Sequence, residues 1–271
     1  MTGTAESFRP GGLVTLTTDF GLRDPFVGVM KGRLIAHHPD VRIVDLTHEI
    51  LAHWPAEAGF WLARSFRYFP SGTVHVAVVD PGVGGAREIA LVEAEGHVFL
   101  APDNGLLAAV VAAVERPRLR RVAGPALARL GLDEPSATFH GRDVFAPIAA
   151  LLASGHESPG SIADDAPELV PGWLEDPVQG PDRVSGTVVT IDHFGNLLTN
   201  IDAALLNTVP HAVVRAGGRE IPLRRTYSDV RPGDYLALVN SFGVLEVARA
   251  EMNAAEGLGL DRGAPVIVVR K

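Results

Sequence analysis

The stretch Thr73-Val74-His75-Val76-Ala77-Val78-Val79-Asp80-Pro81-Gly82 decides the fold. Its apolar run is near-continuous, the pattern of a strand buried on both faces, and it stops abruptly at an Asp-Pro-Gly turn. Upstream, Leu13–Thr18 reads as a first strand ending in Asp19-Phe20-Gly21. Pro25 then opens a helical pattern through Phe26, Val29, Met30, Arg33 and Leu34, because proline suits a first helical turn. Val41–Asp45 reads as the next strand and Pro55–Phe69 as a second helix. Downstream, Ile89–Val92 and His97–Leu100 read as paired strands around Glu95-Gly96, followed by a turn at Pro102-Asp103-Asn104-Gly105 and an alanine-rich helix. Asp143–Ala153 is another helix. This alternation predicts an α/β fold whose N-terminal domain, residues 11–165, is layered and Rossmann-like around a mostly parallel sheet.

Beyond it the composition shifts to Pro, Asp, Glu and Gly without periodicity, which predicts a linker over 166–183. From 184 to 271 the apolar period is two. Val184–Ile191, Ala212–Ala216, Glu220–Leu223, Tyr235–Val239, Leu245–Ala248 and Val266–Val269 predict a small antiparallel β-barrel domain.

Composition removes several function classes. The 271 residues carry 24 Lys+Arg against 32 Asp+Glu, a formal charge of −8, which argues against a nucleic-acid binder relying on phosphate contacts. With 46% hydrophobic and 21% charged residues the chain can bury a sizeable core. Cysteine is absent, so disulfides, thiolate metal sites and a cysteine nucleophile are impossible. The opening residues lack the basic and apolar regions of a secretory signal, and Leu106–Val114 and Phe145–Ala153 reach only about half a membrane span. A soluble, cytoplasmic protein without membrane partners is expected.

Asp19 and Asp80 each end a strand beside glycines, at the rim where open α/β sheets bind ligands; either alone reads equally well as a turn former. Gly82-Val83-Gly84-Gly85-Ala86-Arg87 departs from the dinucleotide fingerprint, since Arg87 stands where Gly or Ala is required. His48 and His53 lie five apart and would not share a helical face, so no metal is expected there. His37-His38 reads as a structural helix end whose imidazolium meets the dipole. His140 opens a helix after an irregular segment, and Asp192-His193-Phe194-Gly195-Asn196 closes a strand with groups suited to a flat heterocycle. Together these predict a ligand site to which both domains contribute.

Taken in order, Thr18-Asp19-Phe20-Gly21, Val79-Asp80-Pro81-Gly82-Val83-Gly84, Arg87, Pro102-Asp103-Asn104-Gly105-Leu106, Phe139-His140-Gly141-Arg142-Asp143, Asp192-His193-Phe194-Gly195-Asn196 and Asn240-Ser241-Phe242-Gly243 cover nearly the whole chain. This set resembles the S-adenosyl-L-methionine (SAM) hydroxide adenosyltransferases, adenosine-forming SAM hydrolases related to the 5′-fluorinase and 5′-chlorinase. The resemblance implies a homotrimer with SAM at subunit interfaces and no cofactor beyond water as co-substrate. It implies that Asp19 holds the ribose hydroxyls, Trp54 walls the ribose pocket, and Phe194, Tyr227 and Asn196 flank and read the adenine. Asp192 and Ser241 would bind the methionine ammonium and carboxylate, and Asn253-Ala254 would supply a further adenine contact. The halogenases carry tyrosines where this chain has Asp80 and His140, so the resemblance makes Asp80, Arg87 and His140 catalytic and water the nucleophile. Gly141 and Phe242 stand where the fluorinase has a serine and an arginine. The alternatives are a chloride-using 5′-halogenase, or a non-catalytic adenosine or SAM sensor.

Overall fold

The computed structural model describes residues 7–271; the first six residues of the opening segment read for a leader lie outside them. The chain forms two compact units, the first closing at Trp173 and the second running Leu174–Lys271.

The first unit comprises β1 (Leu13–Thr18), α1 (Phe26–His37), β2 (Arg42–Thr47), α2 (Pro55–Ser65), β3 (Thr73–Val78), β4 (Ile89–Ala94), β5 (His97–Pro102), α3 (Ala108–Ala113), β6 (Arg118–Val122), α4 (Gly124–Arg129), α5 (Ala146–Ser154), α6 (Pro159–Ile162) and β7 (Ala163–Asp165). The sheet order is β2-β1-β3-β5-β4-β6-β7. The run that decides the fold lies inside it, between β1 and β5, and its alternate residues face two different cores. Val74, Val76 and Val78 join Met30 and Leu34 of α1 and Ile148 and Leu152 of α5 on one face. Ala77 and Val79 join Leu62 of α2 and Val110 of α3 on the other. Burial on both faces is why the strand is continuously apolar.

The sheet is mixed, not mostly parallel. Strands β2, β1, β3 and β5 run parallel, whereas β4, β6 and β7 are antiparallel additions. The cause is local: Glu95 and Gly96 both have positive φ, 51° and 77°, which closes a two-residue hairpin and forces β5 back along β4. The chain passes from β1 to β2 on one side and to β3 on the other, so strand order reverses at β1. Ligands bind outside the carboxyl ends of strands at such a reversal. His37 closes α1, where burial and the nearby Arg33 hold its pKa below the usual imidazole value and so disfavour the imidazolium.

The second unit contains β8 (Val178–Gly180), β9 (Arg183–Ile191), β10 (Leu197–Asp202), α7 (Ala203–Leu206), β11 (Ala212–Ala216), β12 (Arg219–Pro222), β13 (Tyr235–Val239), β14 (Val244–Arg249), α8 (Ala254–Leu258) and β15 (Pro265–Arg270). Its antiparallel order is β12-β11-β15-β9-β10-β14-β13. A bridge between Leu223 and Ala237, with Arg224 N donating to Ala237 O at 2.7 Å, brings the two ends together, so the sheet is nearly barrel-shaped. The stretch 166–183 contains the division between the units and is partly held: Val170 N donates to Asp103 Oδ1, and β8 pairs with β9. Among the described residues no helix is long and apolar enough to cross a membrane.

Candidate active site

In the first unit, parallel pairing places Thr18 opposite Val78, so Asp19 and Asp80 leave neighbouring strands side by side at the carboxyl edge of the sheet. Both line a cavity of about 570 Å³, a volume in the range of small-molecule sites. His140 lines it too, with Phe20, Phe26 and Phe139. These three rings meet edge to face, with centroids 5.5–6.2 Å apart.

Arg87 is not among the lining residues but joins two polar ones, Asp80 and His140. Its Nε donates to Asp80 Oδ2 at 2.9 Å and its Nη2 to the same oxygen at 2.5 Å, while Nη2 also lies 2.7 Å from His140 Nδ1. The guanidinium carbon is 5.6 Å from the Phe145 ring centroid, so the fork is held from its face as well. The Asp80 and Arg87 side chains are only 5% and 12% exposed, and ion pairs so shielded orient their members far more firmly than surface pairs. Arginine has no acceptor, so His140 Nδ1 accepts and the ring proton resides on Nε2. Burial and the Arg87 charge lower the His140 pKa, favouring that neutral ring, although Asp80 and Asp143 pull the other way.

Loop geometry brings these residues together. Val83 N donates to Asp80 O at 3.2 Å and Gly85 N to Gly82 O at 3.0 Å, winding the loop so that Arg87 returns to Asp80. Gly84, at φ 77°, passes so close to the Ala137 carbonyl that a β-carbon there would collide with it. That approach carries the Asp80–Arg87 loop against the segment leading to His140. His140 itself precedes a π-helical turn, Gly141–Phe145, that continues into α5.

Asp19 Oδ2 accepts a hydrogen bond from His53 N at 2.9 Å, leaving the carboxylate with further acceptor capacity. Ala52 and His53 wall the cavity beside it. Trp54 follows at the start of α2, its ring 6.3 Å from that of Trp173. His48 serves the scaffold: Nδ1 is 2.8 Å from Thr18 Oγ1 and Nε2 is 3.1 Å from Asp45. Among the described residues, no cluster of three or more His, Asp or Glu side chains could hold a metal ion.

The second unit gathers the other predicted residues at two neighbouring places. Asp192 Oδ1 accepts from Phe194 N and Asn196 N, both at 2.9 Å, and its Oδ2 from Asn196 Nδ2 at 3.0 Å. Its carboxylate thus organises its own turn. Phe194 stands 74% exposed, while Asn196 is buried. Ala254 N donates to Gly195 O at 3.1 Å, and Asn253 Oδ1 caps α8 by accepting from Glu256 N, so Asn253-Ala254 abuts this turn. Tyr227 is half-exposed and donates its hydroxyl to Glu246 Oε1 at 2.6 Å; Asn240, which precedes the exposed Ser241, donates to Glu246 Oε2 at 3.1 Å. Burial raises the pKa of both Tyr227 and Glu246, and the charge of Asp192 adds to the rise. Sequence reading passed over Glu246, whose only signal is an acidic residue inside the apolar strand Val244-Leu245-Glu246-Val247-Ala248.

Residues 14–162 match the SAM hydroxide adenosyltransferase N-terminal domain, and residues 186–267 match the corresponding C-terminal domain. A Thermus thermophilus protein named (R)-S-adenosyl-L-methionine hydrolase is 39% identical over 93% of this chain and 98% of its own length. A Nocardia brasiliensis protein named fluorinase is 30% identical over 98% of each chain. The crystal structure of an uncharacterized conserved protein from Thermotoga maritima superposes with a TM-score of 0.85 at 32% identity, covering 95% of this chain and all of that one. With both domain descriptions matched in order along the same chain that carries the ordered motifs, the protein belongs to the SAM hydroxide adenosyltransferase family.

Proposed function

We propose that this chain hydrolyses SAM to adenosine and L-methionine by in-line attack of water at the ribose 5′ carbon. The new C5′–O bond forms as the C5′–S bond breaks, its electron pair neutralising the sulfonium as methionine leaves, and water gives up one proton. The sulfonium is already a good leaving group, so the reaction needs a positioned water and a shaped cavity, with no metal or redox cofactor.

The observation that carries this reading is the Arg87 fork, which holds Asp80 and His140 together on one cavity wall. Asp80 retains lone pairs for the attacking water, while the neutral His140 ring has Nε2–H available to donate. Because His140 Nδ1 is engaged by Arg87, we assign proton acceptance to Asp80, with Arg87 balancing its charge. Asp19 takes the ribose diol and Trp54 closes that end. Phe194, Tyr227, Asn196 and Asn253-Ala254 take the adenine; Asp192 and Ser241 take the amino-acid end. A carboxylate on the cavity wall disfavours a halide there, which supports hydrolysis over the fluorinase chemistry named for the Nocardia brasiliensis relative.

The proposal extends to a Rossmann-like N-terminal domain, supported by its parallel β2-β1-β3-β5 half, with independent parts at 11–165 and 184–271 joined by 166–183. It also includes a cytoplasmic homotrimer with sites at subunit interfaces, supported by the family resemblance and tested by light scattering. Activity is tested by incubating the protein with each sulfonium epimer of SAM in chloride buffer made with heavy-oxygen water. The (R) epimer, specified in the name of the Thermus thermophilus relative, is expected to give labelled adenosine and free methionine. A 5′-chloro nucleoside or unchanged SAM beside retained adenosine would overturn hydrolysis in favour of halogenation or sensing.

A further inference from the structure

Glu246 lies at the middle of β14 and is only 3% exposed. A carboxylate taken out of water is costly unless donors replace its hydration. Two donors do so here, from separate loops: the Tyr227 hydroxyl at 2.6 Å and Asn240 Nδ2 at 3.1 Å. The orientation of Asn240 is fixed from its other side, where Oδ1 accepts from Phe242 N at 3.0 Å and Val244 N at 3.3 Å. One buried side chain therefore sets the place of the Tyr227 turn and of the Asn240–Gly243 turn together. Tyr227 is 46% exposed while its hydroxyl is bonded inward, and Phe194 of the Asp192 turn is 74% exposed. An exposed aromatic tethered inward by a buried acid offers a stacking face whose orientation exists before any ligand arrives.

We propose that Glu246 is a positioning residue, whose buried carboxylate pre-orients Tyr227 to receive the flat heterocyclic end of the substrate and the Asn240–Gly243 turn to receive its amino-acid end. The inference rests on the SAM-hydrolase reading of the site. Burial and the Asp192 charge raise the Glu246 pKa, as expected for a carboxyl held in place at a cost, while Tyr227 and Asn240 oppose that shift.

The test compares Glu246→Leu, Tyr227→Phe and their double variant, reading adenosine affinity by calorimetry and kcat and KM for SAM. Each single variant is expected to weaken adenosine binding and raise KM by about tenfold, from loss of a hydrogen bond to a charged group. Turnover of Glu246→Leu at saturation should stay within about twofold, because its carboxylate does not act on the reacting centre. The double variant should be no worse than the worse single one, since both remove the same bond. Glu246→Gln, which keeps an acceptor for Tyr227, should recover part of the affinity. Should Glu246→Leu not fold, Tyr227→Phe and Glu246→Gln carry the test. Unchanged adenosine affinity in Tyr227→Phe and Glu246→Gln, or additive losses in the double variant, would overturn the inference. If the wild-type protein neither turns over SAM nor binds adenosine, the underlying reading fails instead.

Discussion

Arg87 Nη2 and His140 Nδ1 meet at 2.7 Å, and because only the arginine can donate, this contact fixes which histidine nitrogen carries the proton. The same guanidinium grips Asp80, so the cavity presents a carboxylate acceptor and an imidazole N–H donor side by side. A water between them would be held by two complementary hydrogen bonds, aimed by groups that need not move during the reaction.

Replacing Asp80 by Asn preserves size and much of the contact with Arg87 but removes the charge and the proton acceptor. Turnover of SAM should fall by about two to four orders of magnitude, the usual worth of a general base. Adenosine affinity, measured by calorimetry, should be nearly unchanged; near-normal turnover would remove Asp80 from this role.

The pH profile follows from His140. Its neutral form accepts from Arg87, and its pKa is lowered by burial and by the Arg87 charge. Protonation would put a hydrogen between Nδ1 and a guanidinium N–H, so activity is lost as pH falls and not as it rises. The acid limb of kcat/KM that His140 controls should therefore lie below the ordinary imidazole value of 6.5. A His140-dependent limb above that value would contradict the Arg87 contact.

Asp19 tests the other end of the cavity. Asp19→Asn keeps an oxygen for His53 N but offers a vicinal diol a neutral amide in place of a carboxylate. KM should rise by about tenfold with a smaller change in kcat, as expected for an interaction present before the transition state. A 2′-deoxy substrate should lose less from the substitution than SAM does.

Stability in acid should depend on His75. This ring is buried between Thr15 Oγ1 at 2.8 Å and His97 at 3.1 Å, and burial, aided by the His97 charge, pushes its pKa down to about 3. The unfolded chain takes up this proton near pH 6.5, whereas the folded protein resists until about 3, so stability is lost as pH falls through that window. The slope from this site approaches about 1.4 kcal/mol per pH unit. Urea unfolding at several pH values should give a flatter slope for His75→Leu than for the wild type, whatever its absolute stability.

The central strand, the hairpin at Glu95-Gly96 and most of the barrel strands were legible because burial there follows a simple period. Strand β10 was not, since Leu197-Leu198-Thr199-Asn200-Ile201-Asp202 follows directly on a Gly-Asn turn and does not alternate. The antiparallel step from β4 to β5 was legible in the Glu95-Gly96 turn, but the pairing of β6 with β4 and of β7 with β6 is long-range and no local pattern encodes it. At the site, Asp19 and Asp80 were visible as polar residues ending apolar runs, and His140 as the opening of a helix after an irregular segment. Arg87 drew notice only for the loop it shares with Asp80, because the contact with His140 spans 53 positions. Glu246 was missed because Val244–Ala248 is buried throughout, so period two gives no reason to expect an acid facing inward. Asp192 is a different case: a carboxylate that reads as a ligand group also organises its own turn, which the sequence does not announce.

The collision awaiting any β-carbon at Gly84 gives the protein an evolutionary bottleneck. Every amino acid other than glycine carries that carbon, so a missense codon at position 84 would push apart the two loops that deliver Arg87 and His140. Gly84, which offers no side chain to any substrate, thus constrains the inheritance of the whole constellation.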